Sequence, residues 1–319
     1  MGSSPFPSMP LRKSSVRRGF YVLAALYLCG TVFGGIGLGW IALHPPSSPI
    51  TSEEASNARA GASAASQKFT ETSVTTPDGF TLRAWFLEPQ TENRDAVILL
   101  HGVSDNRLGM YGFAKWLLTR NYGVLLPDAR SHGLSGGLAT YGLKESDDIR
   151  LWVDWLERTY HPRCVYGLGE SMGGAQLLQA LPKEPRFCAV VAECPFASFR
   201  EVAYARFGRE FHTGPWLGAT FFRPTVDAGF LFARLRFGLD MEEASPKRAV
   251  EGIGIPVLLI HGLGDRNIPF YHSDEIRAHN PADVVVWKVP GALHTQAHNL
   301  VPAEFENRVL SWFESHGPI

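Results

Sequence analysis

Cysteine is scarce in this chain: four among 319 residues, at positions 29, 164, 188 and 194, with no Cys-x-x-Cys pair. Cys29 falls in an N-terminal apolar stretch, which leaves an odd and unpatterned set of three. Such a set is not expected to build a disulfide framework, and it offers no structural zinc site. An excess of charge is missing too, since 30 basic residues stand against 31 acidic ones. With a net charge of −1, no global field recruits nucleic acid or an acidic surface. Internal repeats are absent. With 45% hydrophobic residues, the composition is that of a folded protein able to bury one large core, here read as one domain plus an appendage.

Charge is missing altogether from residues 20–43. Twenty-four residues of helix span about 36 Å, enough to cross a hydrocarbon layer of about 30 Å. Arg12, Lys13, Arg17 and Arg18 precede the stretch, whereas Glu53 and Glu54 follow it with only Arg59 and Lys68 nearby. That bias places a basic N-terminus, residues 1–19, on the cytoplasmic side and the main domain on the other. A cleavable signal needs a shorter apolar region with a small-x-small site close behind. Here Trp40-Ile41-Ala42-Leu43-His44-Pro45-Pro46 is a poor site, so a single-pass, uncleaved signal anchor is expected. Cys29 follows bulky Tyr27 and Leu28 and is no lipidation site. Gly30, Gly34, Gly35 and Gly39 give two Gly-x-x-x-Gly spacings, suited to self-association of such helices.

Residues 44–66, rich in Ser, Ala and Pro, read as a flexible linker, and the folded domain as residues 67–319. Two β-type runs around Pro77-Asp78-Gly79 predict a hairpin. Short continuous apolar runs at 96–100, 123–126, 164–168, 187–192, 256–260 and 284–289 read as strands buried on both faces. Helical patterns near 108–120, 143–159, 172–181, 272–279 and 302–315 alternate with them. The class is therefore α/β, with a mostly parallel central sheet and helices on both faces. Residues 195–252 break the alternation. They carry eleven aromatics, Phe211 and Trp216 among them, and read as a small helical cap that packs on the sheet or lines an apolar acyl pocket.

At the centre stands Gly169-Glu170-Ser171-Met172-Gly173, between an apolar run and a helix-compatible one. A serine at the tip of a strand-turn-helix junction needs near-absent side chains two residues before and after it, and Gly169 and Gly173 provide them. A serine hydroxyl is a weak nucleophile and needs a base, a carboxylate to orient that base, and donors for the oxyanion. Asp265, on the Gly-rich loop after the 256–260 run, is the candidate carboxylate. His294, just beyond the last strand, is the candidate base, with His298 its rival. Both loops share the carboxyl edge of a parallel sheet with Ser171. Asp128 precedes the serine and reads as a structural turn residue, and Ser135 lacks elbow glycines.

With His101-Gly102-Val103, Asp128-Ala129-Arg130-Ser131-His132-Gly133 and the loops carrying Asp265 and His294, the chain resembles the α/β-hydrolase superfamily over about residues 70–316. The resemblance is to serine hydrolases of the monoacylglycerol-lipase, serine-aminopeptidase and BEM46-like kind. It implies an oxyanion hole from the backbone N–H groups of Val103 and Met172, with His101 and Gly102 shaping the turn. His132 and His261 would organise loops, and Glu170 need not be catalytic. The expected activity is a membrane-anchored serine hydrolase cleaving hydrophobic esters or thioesters through an acyl-enzyme, with no metal and no organic cofactor. An aminopeptidase, amidase or acyltransferase of the same fold is the alternative, and a catalytically silent membrane-tethered module is a further one.

Overall fold

The computed structural model describes residues 13–91, 93–210 and 214–317. Residues 1–12 of the basic N-terminus and Phe211 of the cap lie outside the described residues. Eight strands form one sheet: β1 Lys68–Thr75, β2 Thr81–Glu88, β3 Asp95–Leu100, β4 Gly123–Pro127, β5 Cys164–Glu170, β6 Phe187–Glu193, β7 Val257–Gly262 and β8 Val284–Val289. Their order is β1-β2-β4-β3-β5-β6-β7-β8. β1 and β2 are the expected antiparallel hairpin, β2 meets β4 antiparallel, and every other pairing is parallel.

The apolar runs are continuous because both faces of the sheet are covered. Val97 and Leu99 point to one side, where α3 Tyr111–Leu118 and α12 Pro302–Ser315 pack. Ala96, Ile98 and Leu100 point to the other, against α4 Glu145–Thr159, α5 Met172–Ala180 and α10 Tyr271–His279. Ile149, Trp152, Val153 and Leu156 show how α4 does this: spaced i, i+3, i+4, i+7, they form one buried stripe. The interruption between β6 and β7 is the cap, with α6 Phe199–Glu210, α7 Gly214–Ala219 and α8 Arg223–Phe237, then the short α9 Pro246–Ala249.

The segment before the sheet differs from expectation. α1 runs Lys13–Leu43, and residues 44–66 are not a loose tether, because α2 occupies Ser52–Ala64. Thr51 and Glu54 close a reciprocal capping box at its start, and Ala58 and Ala62 are buried one turn apart against the domain. Hydrogen bonds fix the rest: Asn106 Nδ2 donates to Ser48 O (3.1 Å) and the Tyr111 hydroxyl to Ala58 O (2.9 Å). The glycine seam of α1 also has a partner within the chain. Gly35 and Gly39 lie against α8, so close that a Cβ on Gly35 would stand 2.6 Å from Thr225 O and one on Gly39 2.8 Å from Gly229 O.

Cysteine pairing is a second difference. Cys164 and Cys188 form a disulfide across the neighbouring starts of β5 and β6, their Cα atoms 6.0 Å apart. Nothing in the spacing of the cysteines announces it, because the contact exists only once the two strands are in register. Cys29 and Cys194 remain free.

At the carboxyl edge, Asp128 organises the loop after β4. Its carboxylate takes the Arg107 guanidinium (2.7 Å) and the amides of Arg107 and Leu134 (both 2.8 Å), with both charged side chains buried. Removing the acid would strand a buried guanidinium. Asp128→Ala is expected to lower the free energy of urea unfolding by about 3–5 kcal/mol. A loss below about 1 kcal/mol, typical of an exposed pair, would contradict that role.

Candidate active site

Ser171 sits between β5 and α5 with φ +51° and ψ −113°, a backbone conformation that a side chain adopts only under constraint. Two contacts impose it. The Ser171 amide donates to Glu193 O at the end of β6 (2.7 Å), and Gly173 at the start of α5 lies against Leu100 O at the end of β3. A Cβ on Gly173 would collide with Leu100 O, and one on Gly169 would stand 2.6 Å from Gly173 C. The two glycines therefore let strand, turn and helix approach closely enough to thrust the serine out over the sheet edge.

The side chains chosen from the sequence meet there. His294 Nε2 lies 2.9 Å from Ser171 Oγ, and His294 Nδ1 lies 2.6 Å from Asp265 Oδ2. With Nδ1–H donating to the carboxylate, Nε2 is left to accept the serine proton. Asp265 Oδ1 takes the amides of Asn267 (2.8 Å) and Ile268 (2.9 Å). Burial favours the neutral carboxyl, but the hydrogen bonds from His261, His294 and Ile268 outweigh it and hold Asp265 well below the usual carboxylate range. The acid thus stays charged opposite an imidazole that must accept a proton.

The turn expected to supply the oxyanion donors passes beside the serine. A Cβ on Gly102 would be 3.7 Å from Ser171 Cβ. His101 fixes this turn: Nδ1 donates to Gly102 O (2.7 Å) and Nε2 accepts from the Ala129 amide (3.0 Å). Burial is the main reason its pKa is lowered, followed by nearby His132. A neutral ring with both nitrogens engaged organises loops. Met172 begins α5, so its N–H falls outside the helix's own hydrogen-bond ladder and is available to an anion.

His261 and His298 are occupied elsewhere. His261 Nε2 donates to Ile268 O (2.8 Å) and Nδ1 accepts from the Ser273 hydroxyl (2.7 Å). His294 and His298 stand four residues apart, a spacing that can bind metal, but His298 turns away to Glu306 (3.2 Å) and packs on Phe113 and Phe305. Two clusters have metal-like spacing among the described residues: Cys194, His261 and Asp265, and Glu201, His272 and Glu275. In the first, Asp265 and His261 already have the partners given above. In the second, the Lys247 ammonium bridges Glu201 (2.6 Å) and Glu275 (3.1 Å), supplying the positive charge.

Glu193 is not among the residues that the sequence pattern marks. It ends an apolar strand, as a catalytic acid does, and that position was the available signal. Its Oε1 takes the Ala297 amide (2.9 Å), tying down the loop that carries His294, while Oε2 is buried without a hydrogen-bond partner. Burial raises its pKa to about 7, with Asp265 adding to the rise against the Ala297 amide. Glu170 is pushed to about 8, by burial first and then by Glu193 and Asp105.

Residues 97–308 match the description "Alpha/beta hydrolase family". The chain belongs to the alpha/beta hydrolase family. Among its relatives, the uncharacterized protein YqkD of Bacillus subtilis is 31% identical over 205 residues, covering 62% of this chain and 64% of YqkD. The uncharacterized protein YfhR of Escherichia coli K12 is 27% identical over 209 residues, 63% of this chain and 65% of YfhR. The chain thus spans just under two thirds of the length of these relatives. Among solved structures, the Pyrococcus furiosus esterase Pf2001 superposes with a TM-score of 0.67 at 23% identity, over 86% of this chain and 99% of that one, a likeness of fold.

The raised Glu193 pKa has a stability consequence. Between 4.5 and about 7 the folded state keeps a proton that the unfolded chain has released. The stabilisation is therefore complete below the lower value and lost as pH rises to the upper one. The urea midpoint of the wild type is expected to fall between about pH 5 and about pH 8 more than that of Glu193→Gln, whose amide cannot ionise. Equal slopes would contradict the assignment.

Proposed function

We propose that this chain is a membrane-anchored serine hydrolase that cleaves carboxylic esters, with thioesters accessible to the same chemistry. The observation that carries the reading is the relay from Ser171 through His294 to Asp265, closed at 2.9 and 2.6 Å on a strained elbow. In the proposed reaction Ser171 Oγ attacks the ester carbonyl while His294 Nε2 takes its proton, and Asp265 stabilises the imidazolium. The Val103 and Met172 amides receive the oxyanion, each such donor being worth about a hundred- to a thousandfold in rate. His294 then protonates the leaving alkoxide, and water activated by the same imidazole releases the acyl group. The relay draws on side chains alone, so it calls for no metal or organic cofactor.

Ester cleavage is the activity named for the Pyrococcus furiosus neighbour of the same fold. The apolar character of the substrate is supported by the cluster above Ser171, where Met172 packs with Phe196, Phe199, Met241 and Ile268. Anchoring is supported by α1, whose residues 16–43 are apolar enough and long enough to cross a bilayer while few of them are buried within the protein. A domain outside the cytoplasm is supported by the basic flank and by the Cys164–Cys188 bond, which persists in oxidising compartments.

The test is hydrolysis of p-nitrophenyl esters, acetate to palmitate, by the full chain in detergent. Ser171→Ala is expected to lose at least about a thousandfold in rate at unchanged thermal stability. Turnover that survives the substitution would overturn the nucleophile. Turnover of aminoacyl amides in preference to every ester would transfer the reading to a peptidase.

A further inference from the structure

The end of α1 is built into the catalytic domain. Leu43 is almost fully buried in the apolar cluster that holds Met172 and Ala233, next to the proposed nucleophile. The last carbonyls of α1 are taken by the domain: the Ala139 amide donates to Leu43 O (3.0 Å) and the Tyr141 hydroxyl to Ala42 O (2.9 Å). Tyr141 O in turn accepts from Gln179 Nε2 on α5, the helix that follows Ser171 (2.7 Å).

At that joint, α1 and α8 lie side by side and run in the same direction, Gly35 beside Thr225 and Gly229, and Gly39 beside Gly229 and Phe232. The buried positions of α1, Thr31, Gly35, Gly39 and Leu43, recur every four residues, and Thr225, Gly229 and Ala233 do the same on α8. Gly35 and Gly229 are mutually essential to this contact, since a Cβ on Gly229 would stand 2.9 Å from Gly35 O. This is the close packing of small residues that joins helices in lipid. The cap follows α1 as far as Tyr27, whose hydroxyl donates to Phe221 O (2.9 Å) and whose ring lies 5.3 Å from that of Phe221.

Lengths decide where this edge lies if α1 crosses a bilayer. α1 is about 46 Å long against a hydrocarbon layer of about 30 Å, an excess of about 16 Å. Tyr27 lies about 24 Å from Leu43 along the helix. Even with all the excess on the domain side, the cap passes the interface and enters hydrocarbon. Its outward residues suit that place: Trp216, Phe221, Leu231 and Leu235 are exposed, Leu235 at 78%. Charges follow the same depth order. Arg223, near the deep end, pairs with Asp227 on the next turn, which also takes the Tyr204 hydroxyl. Arg234 and Arg236 lie in the last turn of α8, at the level where Phe237 meets Trp40, as headgroup contacts would.

We infer that the α7–α8 edge of the cap is seated in the lipid leaflet beside α1, held there by the Gly35–Gly229 seam, so that the site draws acyl esters from the membrane. This rests on the anchored-hydrolase reading above and names its substrate class as lipid-resident esters.

The test reconstitutes the full chain, in a Cys29→Ser background, in phosphatidylcholine vesicles containing doxyl-labelled lipid. A fluorophore is placed by Leu235→Cys on the cap, Leu26→Cys on α1, or Arg158→Cys at an exposed position of α4. The Leu26 and Leu235 labels are expected to be quenched several-fold more than the Arg158 label. Quenching at Leu26 without quenching at Leu235 overturns the inference and leaves the anchor standing, whereas quenching at neither removes the anchor as well. Gly229→Leu is expected to bring Leu235 quenching down towards that of Arg158 with Leu26 unchanged; persistence at Leu235 refutes the seam. Substrate class is read with Leu231→Glu/Leu235→Glu. This variant is expected to lose about tenfold in hydrolysis of a long-chain ester dissolved in the vesicles while keeping its rate on soluble p-nitrophenyl acetate. Equal rates on the vesicle ester refute membrane supply, and a wild type inactive on both esters refutes the hydrolase reading while the quenching result stands on its own.

Discussion

The close approach of α5 to the ends of β3 and β5 is the constraint on which the rest of the site depends. Gly169 and Gly173 remove the side chains that would keep these backbones apart, and the amide of Ser171 is clamped to Glu193 O. The serine is left with φ +51° and its hydroxyl beside His294 Nε2. Three further strand ends then deliver what a serine needs. β3 leads into the turn at His101 and Gly102, β7 into the loop of Asp265, and β8 into that of His294. Parallel strands make this convergence possible, because their carboxyl ends lie along one edge. Glu193 serves twice, its carbonyl holding the serine and its carboxylate holding the loop of His294.

Above that edge, the protein closes its site with elements that come from far apart in the chain. α8 belongs to the insertion between β6 and β7, and α1 precedes the sheet altogether, yet both contribute to the apolar cluster around Met172. Because the last carbonyls of α1 are hydrogen-bonded to the 138–143 loop, the helix joins the domain as a rigid strut. Removing residues 1–66 would therefore uncover part of the roof as well as delete α1.

Much of this was legible in the sequence, for identifiable reasons. Strands buried on both faces leave unbroken apolar runs, and all eight lie where such runs, or the alternation flanking Pro77-Asp78-Gly79, placed them. The elbow was legible because its glycines are demanded by sterics, and Ser171, Asp265 and His294 are brought within hydrogen-bond distance. α2 was missed because its buried positions are only Ala58 and Ala62, too little hydrophobicity to register as a period. Its capping box, Thr51 to Glu54, was the overlooked sign. The partner of the Gly35–Gly39 seam was hidden, since a small-residue stripe declares that a helix packs closely without declaring against what. The Cys164–Cys188 contact was hidden in the same way by its dependence on strand order.

In the proposed relay, His294 makes Ser171 nucleophilic. This activation is tested most directly by exposing the full chain in detergent to a fluorophosphonate and weighing the intact protein before digestion. The account expects a single covalent adduct, carried by the peptide containing Ser171, and its formation slowed at least about a thousandfold in His294→Ala, which keeps the serine but removes its base. No adduct on the folded wild type, an adduct on another residue, or equal labelling of His294→Ala would contradict it.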